Sequence, residues 1–192
     1  TQSGAIDMTS RGRDIAVLFG DGAGAAVVTR SESDSTGILS SHLHSEGEYA
    51  DELVMVAPNM NKWVTEIVSD NDPTDSSYFP YMNGRLVFKN AVSRFEEVIN
   101  AGLKHNNLNS SQISLLIPHQ ANLRISQFVQ KKFQLRDDQV YNNIMRYGNT
   151  TAASIPIALT EAWEEGKVKD GNIIVLAAFG AGFSWGSNVI KW

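Results

Sequence analysis

The sequence contains no cysteine among its 192 residues. A chain without thiols forms no disulfide bond and offers no thiolate ligand to a metal ion. Cysteine-free composition fits an intracellular protein, and we expect a cytoplasmic location. Any chemistry that needs a thiol nucleophile would have to draw that thiol from outside this sequence.

Long apolar runs are absent as well, and no secretory signal pattern occurs near the start, so we expect no contact with a membrane. The first residues, Thr1 to Gly4, include no initiator Met and lead almost directly into a segment that resembles a buried strand. We interpret the chain as truncated, processed or trimmed. Its length and ordinary composition favour a single domain over residues 1–192.

Positive charge is scarce overall, with 16 Lys and Arg against 21 Asp and Glu, which argues against nucleic acid as a partner. The bases are nevertheless concentrated in one place. Between Glu97 and Asp137 there is no acidic residue, while the bases there are Lys104, Arg124, Lys131, Lys132 and Arg136. This stretch is either a solvated helix face or a docking surface for an acidic partner.

Hydrophobic periodicity and turn residues predict the order of elements. Strands are predicted at Asp14–Phe19, Ala25–Thr29, Gly37–His44, Ile113–Pro118, Gln139–Ile144, Asn172–Phe179 and Trp185–Trp192. Helices are predicted from about Gly84 to His105, from Ala121 to the Lys131–Lys132 pair, and after Asn149 with Pro156 in the first turn. Ser69–Pro80 has loop composition. The pattern predicts an α/β layered domain that closes with an antiparallel hairpin.

Two short motifs match enzyme signatures without the required context. Gly20–Ala25 fits the G-x-G-x-x-A nucleotide fingerprint, but strand-like sequence follows where a helix is needed, so we expect a tight turn between strands. Gly182–Gly186 fits the G-x-S-x-G nucleophile elbow, but no histidine and no helix can follow it. His42 and His44 lack a third ligand, and we expect no metal site.

Two other segments place a polar side chain where an apolar strand ends, which is where ligands bind in open α/β sheets. Leu116–Arg124 presents His119 after a proline, and Tyr147–Ser154 presents Asn149 on a glycine turn. Each residue alone is most simply a helix cap or a turn former. Together they predict a pair of hydrogen-bond donors at one site.

In the sequence of these and other motifs, the chain resembles the β-ketoacyl-acyl-carrier-protein synthase III enzymes of the thiolase superfamily. The similar stretches, in order, are Phe19–Ala25, His42–His44, Met82–Gly84 with Val87–Lys89, Pro118–Arg124, Gly148–Ser154 and Ala178–Gly186. The resemblance covers nearly the whole chain but only the C-terminal half of such an enzyme. It implies an α/β, thiolase-like fold, one half of an αβαβα layered architecture, with the half that bears the nucleophilic cysteine absent.

The resemblance also implies roles for individual residues. His119 and Asn149 would be the catalytic His and Asn of a Cys-His-Asn triad, with Phe179 beside the nucleophile and Ala181 contributing an N–H to an oxyanion hole. Ala181 stands where glycine is common in the family, and Tyr147 where histidine is frequent. The coenzyme A and pantetheine channel would include Asn122, Gly84 and Phe88. The carrier-protein docking surface would consist of Lys89, Arg124, Lys131 and Lys132.

The implied activity is decarboxylative condensation of an acyl-coenzyme A primer with malonyl acyl carrier protein, in the initiation of fatty acid synthesis. The implied assembly is a homodimer of the intact enzyme, with coenzyme A thioesters as substrates and no further cofactor. This chain alone would be inactive because it lacks the thiol. The alternatives are a non-catalytic carrier- or coenzyme A-binding module, and a related condensing enzyme of secondary metabolism or of the 3-hydroxy-3-methylglutaryl type.

Overall fold

The computed structural model describes residues 15, 17–33, 35–55 and 80–192. The predicted start of the chain and all of the predicted loop up to residue 79 lie outside these ranges. Among the described residues, no helix combines the length and the apolar character that crossing a membrane requires.

A four-stranded mixed sheet in the order β1-β6-β5-β4 forms the centre of the structure. Its strands are β1 Gly37–Ser45, β4 Leu115–Pro118, β5 Ile173–Gly180 and β6 Ser184–Lys191. Strands β4 and β5 run parallel, with Pro118 opposite Ala177, whereas β6 is antiparallel to both β5 and β1. A separate two-stranded ribbon pairs β2 Leu53–Val54 with β3 Tyr81–Met82.

Helices cover both faces of this sheet. Helices α1 Gly84–His105 and α2 Leu123–Lys132 pack on one face through a core that includes Phe95, Ile99, Val129 and Val175. Helix α4 Ser154–Glu164 packs on the other face, where Ala158 and Ala162 meet Leu115, Ile117 and Ile174. A short helix, α3 Ile144–Tyr147, precedes α4. Short 3-10 turns occur at Gly47–Glu52, Ser110–Gln112, Asp137–Gln139 and Thr151–Ala153.

This arrangement confirms the α/β prediction and most of its elements. Helix α1 has the predicted bounds, because apolar residues recur at helical spacing between the cap Asn83 and two bases at its end. Pro156 is the third residue of α4 and so lies in its first turn, where a missing N–H costs no helical hydrogen bond. The terminal hairpin of β5 and β6 is antiparallel as predicted.

The strands predicted at Asp14–Phe19 and Ala25–Thr29 are not found in the described residues. Val17 and Leu18 form a turn with a local bond from Leu18 N–H to the Ile15 carbonyl, and Phe19 makes a single bridge to Asn149. Val27 and Val28 are exposed, so β-branched composition alone did not produce a strand there. A strand needs a neighbouring strand to complete its hydrogen bonds, and the described residues place none beside Ala25–Thr29.

The strand predicted at Gln139–Ile144 is wrong apart from one position. Val140 bridges Leu116, and the Tyr141 N–H donates to the Leu116 carbonyl at 2.9 Å. The N–H groups of Asn143 and Ile144 donate to the side chain of Gln120 instead of to a strand. The chain then enters α3. A buried glutamine thus replaces the strand partner that further pairing would require.

Candidate functional site

A cavity of about 1100 Å³ opens at the edge of the sheet where β4 and β5 end and β6 begins. Parallel strands bring their carboxyl ends to the same edge, so the residues that follow β4 and β5 meet there. The cavity is lined by every residue predicted for catalysis, oxyanion binding and the channel: His119, Asn149, Phe179, Ala181, Asn122, Gly84 and Phe88. The four predicted docking bases do not line it.

His119 extends the parallel pairing of β4 by one residue. Its backbone N–H donates to the Ala177 carbonyl at 2.7 Å, which fixes the chain at the mouth of the cavity. Its ring Nδ1 lies 2.6 Å from the hydroxyl oxygen of Ser154, the first residue of α4. Burial lowers the pKa of His119 to about 4. The imidazole is therefore neutral at pH 7 and carries one N–H.

Asn149 is held by contacts with a segment far away in sequence. Its backbone N–H donates to the Leu18 carbonyl at 2.8 Å, and its carbonyl accepts from the Gly20 N–H at 3.0 Å. The side-chain oxygen accepts from the Thr151 N–H at 2.8 Å. An atom that accepts from a backbone N–H must be the oxygen of the side-chain amide. The NH₂ group of Asn149 therefore remains as the donor for a ligand.

Close backbone approach explains the glycines at 20, 22 and 24. A Cβ at Gly20 would overlap the Tyr147 carbonyl oxygen, and a Cβ at Gly24 would lie 2.5 Å from Pro156 Cβ. Gly22 faces Thr150 and Ile157. The expected tight turn between two strands is therefore wrong, because these glycines let residues 18–24 pack against the segment that carries Asn149.

Gln120 links the two polar corners of the cavity: the His119 corner, where β4 ends, and the Asn149 corner, which follows α3. It is buried, and its side-chain nitrogen donates to the carbonyls of Pro118 and Tyr141 at 2.7 and 3.3 Å. Its side-chain oxygen accepts from the N–H groups of Asn143 and Ile144 at 3.0 and 3.2 Å. All four hydrogen-bonding positions of the amide are thus used, and they fix the start of α3 against the end of β4.

Glu161 of α4 bonds residues at both ends of α3. It accepts hydrogen bonds from Arg146 at 2.6 Å, from Asn143 at 2.7 Å and from the Tyr147 hydroxyl. Burial opposes ionisation, yet the bonds from Asn143 and Tyr147 and the charge of Arg146 lower the pKa of Glu161 overall. Glu161 is therefore a carboxylate that ties the residues before Gly148 to α4.

The residues predicted near the oxyanion hole lie at the turn between β5 and β6. Phe179 is buried with its ring 4.9 Å from that of Phe183, and it forms part of the cavity wall. Ala181 is exposed on the turn. Within the part of the chain that the structure describes, no backbone carbonyl accepts the Ala181 N–H.

The three predicted channel residues lie at helix starts or one turn beyond. Asn122 caps α2, and its side-chain oxygen accepts from the Arg124 N–H at 2.9 Å. Gly84 begins α1, where a Cβ would meet only the Met82 side chain at 3.9 Å, and Phe88 is partly exposed one turn later. The channel prediction is thus compatible with where these residues lie.

The predicted docking bases are all exposed, but their environments differ. Lys132 already pairs with Glu96 of α1 at 3.2 Å, across the α1–α2 contact. Among the described residues, no carboxylate lies within 4 Å of Lys89, Arg124 or Lys131. An acid-free stretch of sequence therefore did not guarantee an acid-free surface, because Glu96 comes from the neighbouring helix.

Residues 15–33, 35–55 and 80–192, without residue 16, contain no group of three or more His, Asp or Glu that could hold a metal ion. His42 contacts His105 edge-on at 5.3 Å between ring centroids, and His44 stacks on Trp185 at 5.5 Å. Both histidines of β1 therefore pack against rings.

Sequence reasoning missed four residues that hold the site together: Gly20, Gln120, Ser154 and Glu161. Each acts through a partner far away in sequence. The Gly20-x-Gly22-x-Gly24 spacing was a usable signal. Glycine at alternate positions leaves one face of an extended segment without side chains, and another backbone can then pack closely against that face. Nothing in the local sequence pattern indicated the partners of the other three.

Two family patterns match this chain. The one described as 3-oxoacyl-[acyl-carrier-protein (ACP)] synthase III C terminal matches residues 103–192, and the one described as 3-oxoacyl-[acyl-carrier-protein (ACP)] synthase III matches residues 1–47. The β-ketoacyl-[acyl-carrier-protein] synthase III of Blochmanniella pennsylvanica is 42% identical over 185 residues, which are 96% of this chain and 54% of that protein. The Escherichia coli K12 protein of the same name is 42% identical over 186 residues, 97% of this chain and 54% of its own length.

Solved structures give the same result. The 3-oxoacyl-[acyl-carrier-protein] synthase III of Aquifex aeolicus matches with a TM-score of 0.81 and 40% identity, over 94% of this chain and 52% of that one. The Thermus thermophilus enzyme matches with a TM-score of 0.78 and 35% identity, over 97% and 55%. The chain thus spans about half the length of these relatives, and the thiolase-like fold is confirmed. With two family patterns, close relatives and solved structures in agreement, the chain belongs to the 3-oxoacyl-[acyl-carrier-protein] synthase III family.

Proposed function

We propose that this chain supplies the enolate-binding half of a 3-oxoacyl-[acyl-carrier-protein] synthase III, with His119 and Asn149 as its catalytic residues. The observation that carries the proposal is that a neutral imidazole and an oriented amide line the same cavity. Both groups are uncharged donors, held in place before a ligand arrives. Such donors stabilise negative charge that develops on a carbonyl oxygen during reaction.

The proposed step is loss of carbon dioxide from a malonyl thioester. The bond between the α-carbon and the carboxylate breaks, carbon dioxide leaves, and the electron pair moves into an enolate whose oxygen accepts hydrogen bonds from His119 and Asn149. The enolate carbon then attacks the carbonyl of an acyl-cysteine, and the cysteine thiolate leaves. That cysteine is not in this sequence, and we propose that another half of the intact enzyme provides it.

Neutrality of His119 matters for this step. An imidazolium would offer a proton to the enolate, and protonation at carbon would give the simple acyl thioester instead of the condensed product. A pKa of about 4 keeps the ring neutral throughout the physiological range. The amide of Asn149 has no ionisable proton at any relevant pH.

The remaining predicted residues fit the same proposal. Asn122, Gly84 and Phe88 would line the pantetheine arm of the coenzyme A or carrier-protein thioester, since all three border the cavity. The Ala181 N–H would bind the oxyanion of the acyl-transfer step. The exposed bases Lys89, Arg124 and Lys131 would attract acidic acyl carrier protein, with Lys132 partly neutralised by Glu96. The homodimer and the lack of a further cofactor remain parts of this proposal.

The test separates the two half-reactions in the intact enzyme. His119→Ala and Asn149→Ala should each slow decarboxylation of malonyl carrier protein by about 10²–10³, the usual cost of losing one oxyanion donor. Transfer of the primer acyl group to the cysteine should remain near the wild-type rate. His105→Ala is the matched control, since this histidine lies at the end of α1 and does not line the cavity.

Either catalytic variant decarboxylating at the wild-type rate would refute the proposed roles. The chain by itself should take up no stable label from radiolabelled acetyl coenzyme A, because it has no thiol. A non-catalytic carrier-binding module would instead show no decarboxylation in any assembly that contains this chain.

A further inference from the structure

The hydroxyl of Ser154, a buried residue in the wall of the cavity, lies against the Nδ1 edge of the His119 ring. Ser154 is 2% exposed, and its oxygen lies 2.6 Å from Nδ1 of His119. The same oxygen accepts a hydrogen bond from the backbone N–H of Gln120 at 3.3 Å. At this degree of burial, the hydroxyl hydrogen needs an acceptor within the protein.

The hydrogen-bond inventory of a hydroxyl decides which group donates. A serine oxygen has one hydrogen to give and two lone pairs that accept. If Nδ1 carried the proton, it would donate to Ser154, and the hydroxyl hydrogen would have to go elsewhere. Among the described residues, His119 Nδ1 is the single acceptor within reach of that hydrogen. A buried hydroxyl left without an acceptor is unfavourable.

We propose that Ser154 is a positioning residue that donates its hydroxyl hydrogen to Nδ1 and thereby places the proton of His119 on Nε2. This inference rests on the proposed function, since it explains how the ring comes to present an N–H towards the cavity. Nε2 lies on the far side of the ring from Ser154. The other tautomer would present a lone pair to the enolate oxygen, which would repel it.

The position of Ser154 supports the same state of the ring. It is the first residue of α4, an 11-residue helix, and the N-terminal end of a helix carries partial positive charge. This charge disfavours the imidazolium, in the same direction as burial does. Helix α4 therefore holds the ring neutral and, through one hydroxyl, selects which nitrogen is protonated.

The test reads the tautomer directly, apart from activity. In the intact enzyme with ¹⁵N-labelled histidine, the two ring nitrogens of His119 have distinct chemical shifts that identify the protonated atom. The signal is assigned by its loss in His119→Gln. We expect the Nε2–H form in the wild type and in Ser154→Thr, which keeps the hydroxyl, and a mixture of the two tautomers in Ser154→Ala.

Kinetics and a control complete the experiment. Ser154→Ala should lower kcat for decarboxylation about tenfold with little change in KM, less than the loss of the donor itself. Ser126→Ala is the matched control, because that serine is also buried and donates to Asn142 at 2.6 Å outside the cavity. It should leave the tautomer of His119 unchanged.

An Nδ1–H ring in the wild type, or an unaltered tautomer ratio in Ser154→Ala, would overturn the positioning role. Both results are independent of the proposed function. If His119→Ala kept full activity while the wild-type ring was Nε2–H, the catalytic role would fail and the assignment of Ser154 would stand.

Discussion

The two corners of the cavity are built in opposite ways. His119 continues a buried parallel strand, and the bond from its N–H to Ala177 belongs to the sheet. Asn149 follows a four-residue helix and a glycine with φ of 67°, and its backbone is held by Leu18 and Gly20. Regular pairing therefore fixes the histidine, whereas contacts remote in sequence fix the asparagine.

This difference predicts where each corner is vulnerable. Displacing the backbone of His119 requires disruption of the sheet core, which would also destabilise the whole protein. The Asn149 corner depends on a few specific contacts, so single substitutions of residues that do not line the cavity should disable it while the fold persists. The two donors would then respond separately to well-chosen changes.

The largest effect is expected from Gly20→Ala. The new methyl group would overlap the Tyr147 carbonyl and push the Asn149 segment away. We expect decarboxylation to fall by about 10²–10³, as if the Asn149 donor were lost, while the His119 tautomer stays unchanged. Gly47→Ala is the control, because no atom lies within 4 Å of a Cβ there. Normal decarboxylation by Gly20→Ala would show that the Asn149 corner does not need this contact.

The second effect is a dependence of the free energy of unfolding on pH. It should arise from His119 and not from Asn149. The folded-state pKa of His119 is about 4, below its ordinary value of 6.5. Between these values the unfolded chain binds a proton that the folded chain does not, so stability falls as pH falls from 6.5 to 4. The loss should approach about 3 kcal/mol at 1.36 kcal/mol per pKa unit.

Urea unfolding at pH 7 and pH 4.5 measures this loss. The difference between the two pH values should shrink by a similar amount in His119→Gln, which does not titrate. Asn149→Ala should retain the full pH dependence. An identical pH dependence in wild type and His119→Gln would assign the effect to other groups.

A smaller effect is expected from Glu161→Gln, which keeps the shape of the side chain and removes its charge. The ion pair between Arg146 and Glu161 is weakened by solvent, because Arg146 is half exposed. Its loss should leave α3 less firmly held, and we therefore expect only about a tenfold loss of the decarboxylation rate. Glu164→Gln serves as the control on the same helix, since Glu164 has no ion pair among the described residues. Equal activity of the two variants would remove Glu161 from the support of Asn149.

The smallest effect is expected at the surface of α2, which begins beside the His119 corner. Arg124→Ala should raise KM for malonyl carrier protein several-fold, and Lys132→Ala less, because Glu96 already offsets the charge of Lys132. Glu96→Gln should lower that KM. Steady-state kinetics at low and high salt would test this order, and equal effects on primer coenzyme A would indicate a folding defect instead.

Helical periodicity and strand-end polarity were enough to predict the His119 corner. The apolar run before Pro118 and the amphipathic pattern after Asn122 are local signals, and they placed β4 and α2 correctly. The same reasoning failed at Ala25–Thr29, where β-branched residues indicate a strand but the described structure provides no neighbour for it. Strand propensity is a property of the chain, whereas a strand also needs a partner.

The support of Asn149 was beyond prediction from the sequence for a similar reason. Gln120 and Tyr147 look unremarkable in a local window, yet one bonds the start of α3 and the other bonds Glu161. These contacts span 14 to 24 residues of sequence. A pattern that repeats every two or four residues carries no information about which distant side chains will meet.

Helix α4 contacts both corners, through Ser154 at its first residue and Glu161 seven residues later. Seven residues are about two helical turns, so the two side chains share one face about 10 Å apart along the axis. A helix is stiff along that axis, and thermal displacement of one anchor is therefore accompanied by displacement of the other. The donors that these anchors support, the His119 ring and the Asn149 amide, should therefore fluctuate together as one body. Their relative geometry would be set when the protein folds, and little reorganisation would remain for the moment of reaction.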